Sequence, residues 1–182
     1  MLTNIVYLSG FMATGKSTIG PILANTLAWN FYDLDKVIES EYCLTIGKLF
    51  EEKGEKEFRK IESDVLENLQ LNENSIVALG GGTMLKQTNI NLMKKKGTIV
   101  LLESSESQIY HRMKNKKSRP LALTDNGDVL NENELRIKIR DLLKTRKKFY
   151  DQADIKINTT NERIGVTVDK LAKIIANRFK NV

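Results

Sequence analysis

The sequence predicts an α/β fold in three layers, α/β/α, built on a parallel five-stranded sheet. Two observations carry that expectation. Five short apolar runs alternate with segments whose apolar residues recur at helical spacing, and such alternation places strands side by side with helices over both faces. The chain is 182 residues long with 41% apolar residues, enough to bury one core, and none of its apolar runs reaches the roughly 18 residues that suggest a membrane span. One domain spanning residues 1–182 is expected, with neither an internal repeat nor a low-complexity linker.

The elements follow in order. Ile5 to Ser9 is an apolar run ending at glycine and reads as a buried strand; Ile19, Ile22, Leu23 and Leu27 then step at helical spacing. Trp29 to Asp33 reads as the second strand. Ile38, Ile46, Leu49 and Phe50 belong to short helical pieces, interrupted near Leu44 and Thr45. Phe58, Ile61, Val65 and Leu69 are spaced by 3, 4 and 4, the stripe of an amphipathic helix. Ile76 to Leu79 is a strand that runs into three glycines, and Ile90, Leu92 and Met93 mark a helix after it. Thr98 to Leu102 is the fourth strand, followed by a helix around Ile109 and Met113. Asn115 to Asn131 has little periodicity and carries basic residues with Pro120 and Gly127. Leu135, Ile139, Leu142 and Leu143 restore a helix, Ile155 to Asn158 is the fifth strand, and Leu171, Ile174, Ile175 and Phe179 close the chain.

Charge and cysteine usage bound the partners. A net charge of +6 suits anionic ligands. The lysines are spread among helices with glutamates and accompany no aromatic–basic ladder, so nucleic acid is not expected as a partner. Cys43 is the sole cysteine and excludes an internal disulfide or a thiolate cluster; it fits a reducing cytoplasm, with a buried structural thiol as the expectation. Met1 to Asn4 has no basic segment of the kind that opens a signal peptide. Nothing in the pattern marks an apolar interface, so a monomer is expected.

The strongest signal is GFMATGKST at residues 10–18. It satisfies G-x-x-x-x-G-K-[ST] between an expected strand and an expected helix, the context that makes the pattern a phosphate-binding P-loop. Gly10 and Gly15 let the backbone curl so that successive N–H groups face phosphate oxygens. Lys16 adds a charge for the β- and γ-phosphates, Ser17 a hydroxyl for Mg²⁺, and the helix that follows directs its positive end at the anion. On this reading Gly10, Ala13, Thr14, Gly15, Lys16, Ser17 and Thr18 form the ATP-binding loop. Pro21 is out of place past the first helical turn, and Phe11 and Met12 put large apolar side chains inside the loop, able to reach toward an acceptor pocket.

Further residues suit phosphoryl transfer. Asp33 and Asp35 lie at the end of the second strand, beside the P-loop in such a sheet, and strand alternation aims both the same way. One carboxylate near Mg²⁺ and one near an acceptor hydroxyl is what the reaction needs; a solvated helix start capped by Asp35 is the plainer alternative. Gly80, Gly81 and Gly82 suggest a backbone that something approaches closely, or simply a flexible turn. Arg119 sits in the aperiodic basic segment, either a lid over the nucleotide or a solvated loop. His111, the only histidine, is expected on a helix surface without a role.

Together these motifs resemble the shikimate kinase family over nearly the whole chain: GFMATGKST, DLD at 33–35, FRKIE at 58–62, GGG at 80–82, RPL at 119–121, and Arg146 followed by Tyr150. The resemblance implies a fold of the P-loop kinase type, with a substrate-binding region at about 35–70 and a lid at about 114–128. It assigns Lys16 to the phosphates and Ser17 with Asp33 to Mg²⁺. Asp35, Arg59, Gly81, Gly82 and Arg146 fall on the family's shikimate-binding positions, Arg119 on the lid arginine, and Arg112 on a position facing the adenine. Lys16, Asp35 and Arg119 are then the catalytic residues. Ala122 stands where the lid motif commonly has a second leucine. The expected reaction is ATP-dependent phosphorylation of shikimate at its 3-hydroxyl. A kinase of another small hydroxy acid such as gluconate, or a non-catalytic nucleotide-binding module, remain the alternatives.

Overall fold

In the computed structural model, residues 3–114 and 130–180 are described. Five strands, β1 (Ile5–Gly10), β2 (Asn30–Asp33), β3 (Ser75–Ala78), β4 (Thr98–Glu103) and β5 (Ile155–Asn158), form one sheet in the order β2-β3-β1-β4-β5. Every pairing is parallel; Val6, for example, is in register with Ile76 on one side and Thr98 on the other.

The sheet is covered on both faces because its central strands carry apolar residues toward each of them. Tyr7, Val77, Ile99 and Leu101 point to one face, where they pack with α2 (Leu34–Tyr42), α3 (Ile46–Asn68) and α4 (Gln87–Lys96). Val6, Leu8, Ile76, Val100 and Leu102 point to the other, against α1 (Lys16–Leu27) and α7 (Ile164–Lys180). Each such fully buried aliphatic chain contributes about 1.5–3 kcal/mol. A third cluster, Phe11, Ile109, Tyr110, Met113, Leu135 and Ile139, joins the P-loop to α5 (Glu106–Met113) and α6 (Glu132–Tyr150). No helix among the described residues is long and apolar enough to cross a membrane.

Several local expectations need correction. Trp29 lies outside β2 and packs its ring 5.7 Å from that of Phe179. The pieces around Leu49 and Phe58 are parts of α3, joined across Gly54, whose φ of 73° and ψ of 168° break the helical run. The interruption near Leu44 and Thr45 is real: Cys43 turns left-handed at the end of α2, and Thr45 Oγ1 caps α3 by accepting from Lys48 N at 3.3 Å. That turn also leaves Cys43 exposed rather than buried. Pro21 is held inside α1, where it lacks the donor that would serve the carbonyl one turn back. Strand β2 is at the sheet edge, so β3 separates it from the P-loop strand β1.

Candidate active site

The P-loop runs from the end of β1 into α1. Gly10 has φ 148°, and a Cβ there would stand 2.5 Å from the Leu102 carbonyl oxygen; Gly15, at φ 108°, caps α1 in a conformation that L-residues rarely adopt. Lys16 curls back over the loop, its Nζ donating to Gly10 O at 2.8 Å and Phe11 O at 3.2 Å. Thr14 is buried, with Oγ1 donating to Phe11 O at 2.7 Å, so it shapes the loop from within. Two outside groups brace the turn. Arg112 Nη1 donates to Ala13 O at 3.0 Å, where the backbone is left-handed, and Thr159 Oγ1 lies 3.3 Å from Thr14 O.

The loop opens into a cleft of about 790 Å³. Ala13, Gly15, Lys16, Ser17 and Thr18 line it from α1 and the loop, and Arg112 lines it from α5. Asp33, Asp35, Arg59, Gly81, Gly82 and Arg146 line the same cleft. Gly10 and Thr14 are not at its wall. Arg119 lies outside the described residues, as does the 114–128 segment except Lys114.

The two aspartates reach the cleft by a route other than strand alternation. Asp33 ends β2 and caps α2, its Oδ1 accepting from Asp35 N at 3.1 Å, while Asp35 belongs to the first turn of the helix. The cap is therefore Asp33, not Asp35. The intervening strand β3 does not block them, because the turn that follows it is glycine from Gly80 to Gly82. A Cβ on Gly80 would lie 2.7 Å from Glu62 Oε1 and 2.9 Å from Asp35 Oδ1. Burial, with the Asp33 and Glu62 carboxylates, pushes the Asp35 carboxyl up to about 6 against a partial opposing pull from Lys16.

Arg59 and Arg146 approach the glycine turn separately. Arg59, on α3, has its guanidinium against Gly82, where a Cβ would meet it at 2.4 Å, and 5.3 Å from the Phe58 ring centroid. Its Nη1 donates to Glu62 Oε2 at 3.0 Å. Arg146, on α6, donates from Nη1 to Gly81 O at 3.0 Å and stands over the Phe11 ring at 5.0 Å. Its Nε is buried and has no hydrogen-bond partner among the described residues. Tyr150 OH also donates to Gly81 O, at 3.4 Å, and burial raises the proton affinity of its phenolate. Cationic donors thus flank a bare backbone in the cleft that the phosphate-type loop also lines, and a Cβ on Gly81 would stand 3.9 Å from Met12 N of that loop.

Sequence reasoning missed Glu62. It is 1% exposed, accepts from Arg59, and accepts from Thr83 Oγ1 at 2.7 Å. In the sequence it closes the FRKIE motif at 58–62 and stands i,i+3 from Arg59, which on a surface helix would read as an ordinary ion pair. No group of three or more His, Cys, Asp or Glu that could hold a metal occurs among the described residues. Ser17 and Asp33 are a sparse set of hard oxygen donors, which fits Mg²⁺ held largely by water and phosphate oxygens.

The sheet order, with its phosphate-type loop on the central strand and two arginines against the glycine turn after β3 in the same cleft, defines the class: a P-loop phosphotransferase for a small acceptor. The comparisons narrow it. The family model described as shikimate kinase matches residues 12–176. A shikimate kinase of Chlorobium phaeobacteroides (strain DSM 266 / SMG 266 / 2430) is 41% identical over 176 residues, covering 97% of this chain and 92% of the relative. Two solved structures are similar throughout. Shikimate kinase from Bacteroides thetaiotaomicron superposes with TM-score 0.85 at 30% identity, over 95% of this chain and 98% of the other. Shikimate kinase from Acinetobacter baumannii in complex with shikimate gives 0.84 at 32%, over 97% and 94%. The chain belongs to the shikimate kinase family.

Proposed function

We propose that this chain transfers the γ-phosphoryl group of ATP to the 3-hydroxyl of shikimate, giving ADP and shikimate 3-phosphate on the route to aromatic amino acids. One observation carries the reading: Arg59 and Arg146 flank the Gly81–Gly82 turn in the same cleft that Lys16 lines. Shikimate is a small ring with one carboxylate and three hydroxyls. Two guanidiniums suit its carboxylate and fix the ring's orientation, while the bare turn admits the ring without a side chain in the way.

The work of each residue follows from charge and position. Lys16, the loop N–H groups and the start of α1 hold the phosphates, with Ala13, Gly15 and Thr18 lining the nucleotide. Ser17 and Asp33 hold Mg²⁺, which when bound neutralises charge on the phosphate oxygens. Arg112 faces the adenine, and Arg119, by its place in the RPL motif, meets the transferring phosphoryl group. Asp35 accepts the hydrogen bond of the 3-hydroxyl and orients it. Its raised proton affinity suits it to take that proton as the O–P bond forms. Catalysis is then positioning and charge neutralisation.

A monomer in the cytoplasm is part of the same proposal. The test is a coupled assay of ADP release with shikimate, with gluconate, and with neither, beside a salt-dependent DNA titration. Shikimate-dependent release alone is expected. Equal turnover with gluconate, or none with any acceptor, contradicts the reading.

A further inference from the structure

Behind the glycine turn, Thr83 and Asn89 lie off the cleft wall and connect to it through Glu62, which lines it. Thr83, first residue of a 3-10 helix at Thr83–Leu85, is 0% exposed, so it cannot touch an acceptor. Its Oγ1 donates to Glu62 Oε1 at 2.7 Å, the shorter of two contacts; Gly80 O lies at 3.2 Å. Its carbonyl accepts from Asn89 Nδ2 at 3.0 Å, and Asn89 is itself buried on α4. Glu62 has one donor on each oxygen, Thr83 on Oε1 and Arg59 on Oε2.

We propose that Thr83 is a positioning residue for the acceptor site, setting the orientation of Arg59 through Glu62. The physical reason is the environment of Glu62 Oε1. It is buried, and together with Asp35 Oδ1 it crowds the bare Cα of Gly80. A buried carboxylate oxygen without a donor, facing a second carboxylate, is costly. Deprived of the Thr83 proton, the Glu62 carboxylate turns to recover one, and its Oε2 leaves the position that holds the Arg59 guanidinium. Asn89 keeps Thr83 fixed from the opposite side, so the hydroxyl has a defined direction. The effect is confined to the acceptor end, because none of these groups contacts the P-loop in the hydrogen bonds above.

The inference rests on the proposed shikimate site, and the experiment separates the two. Shikimate binding is measured by calorimetric titration without nucleotide, and KM for shikimate and for ATP by ADP release, in wild type, Thr83→Val and Thr83→Ser. Val keeps the shape and removes the hydroxyl; Ser restores it. Val is expected to weaken shikimate binding and raise its KM by roughly tenfold, leaving KM for ATP within about twofold, and Ser is expected to recover wild-type values. Unchanged shikimate affinity in a folded Thr83→Val protein overturns the proposal, as does equal impairment of Val and Ser, which marks mere packing. If Val does not fold, Thr83→Ala against Thr83→Ser gives the same decision. Wild-type protein that fails to bind shikimate removes the functional reading and this inference together.

Discussion

Arg59 Nη1 donates to Glu62 Oε2 at 3.0 Å, and Glu62 is a carboxylate withdrawn almost wholly from water. A buried anion of this kind is tolerable only with its partners in place. It therefore holds the guanidinium against the glycine turn before any acceptor arrives. Arg59→Ala is expected to raise KM for shikimate by about 10–100-fold, the loss of one charge-assisted contact, with ATP affinity nearly unchanged. Steady-state kinetics with each substrate varied in turn checks it; a normal KM for shikimate denies Arg59 its assigned part.

Neighbouring glycines of the turn should respond differently to a methyl group. A Cβ on Gly82 meets the Arg59 guanidinium at 2.4 Å, whereas one on Gly81 finds its nearest neighbour, Arg146 Nη1, at 3.8 Å. A guanidinium is the far end of a flexible chain and moves aside. Gly82→Ala should then fold normally and lose shikimate affinity by roughly tenfold. Gly81→Ala should be much milder in the same titration. The reverse ranking contradicts the arrangement.

Asp35 gives a pH signature. Its carboxyl is pushed from the usual 3.8 to about 6, by burial and by the Asp33 and Glu62 carboxylates. The fold favours its protonated form, so stability from this group is fully present below pH 3.8 and is lost as pH rises through about 6. Asp35→Asn should accordingly be more stable than wild type at pH 7, by on the order of 1–3 kcal/mol, and equal at pH 3.5 or so. Its turnover should be severely reduced. In wild type, turnover should rise with pH along a limb centred near 6. Denaturant melts and a kcat/KM profile read the two effects.

Lys16 lies over the loop carbonyls of Gly10 and Phe11, where a bound phosphate would be met. Lys16→Met keeps the length of the chain and removes the charge. Turnover is expected to fall by at least about 100-fold, the scale of losing one transition-state charge donor, while shikimate titrates normally. Substantial residual turnover denies Lys16 its central role.

Local pattern determines part of this structure. Strands such as Thr98–Leu102 are legible because burial on both faces makes Ile99 to Leu102 an unbroken apolar run. The P-loop is legible because its chemistry needs adjacent residues. Sheet order is not a local property, and the edge position of β2 could not be read from residues 29–33. For Asp33 and Asp35, the turn into α2 falls between them and defeats an argument from strand alternation. Ile174 fits the apolar stripe of its helix yet is 37% exposed, since neighbours rather than periodicity decide burial. Arg59 and Arg146 carry no signal of their own and were reached through the family resemblance. Glu62 was passed over because only the packing of α3 against the glycine turn makes it a buried carboxylate.

On this account one cleft seats a nucleotide's phosphates and an acceptor's carboxylate side by side, at Lys16 and at the guanidiniums of Arg59 and Arg146. A crystal structure of this chain with ADP and shikimate tests it most directly. The account predicts the shikimate carboxylate within hydrogen-bond distance of both Arg59 and Arg146, its 3-hydroxyl toward Asp35, and the β-phosphate at Lys16. A shikimate ring seated outside this cleft, or with its carboxylate turned away from both guanidiniums, would contradict it.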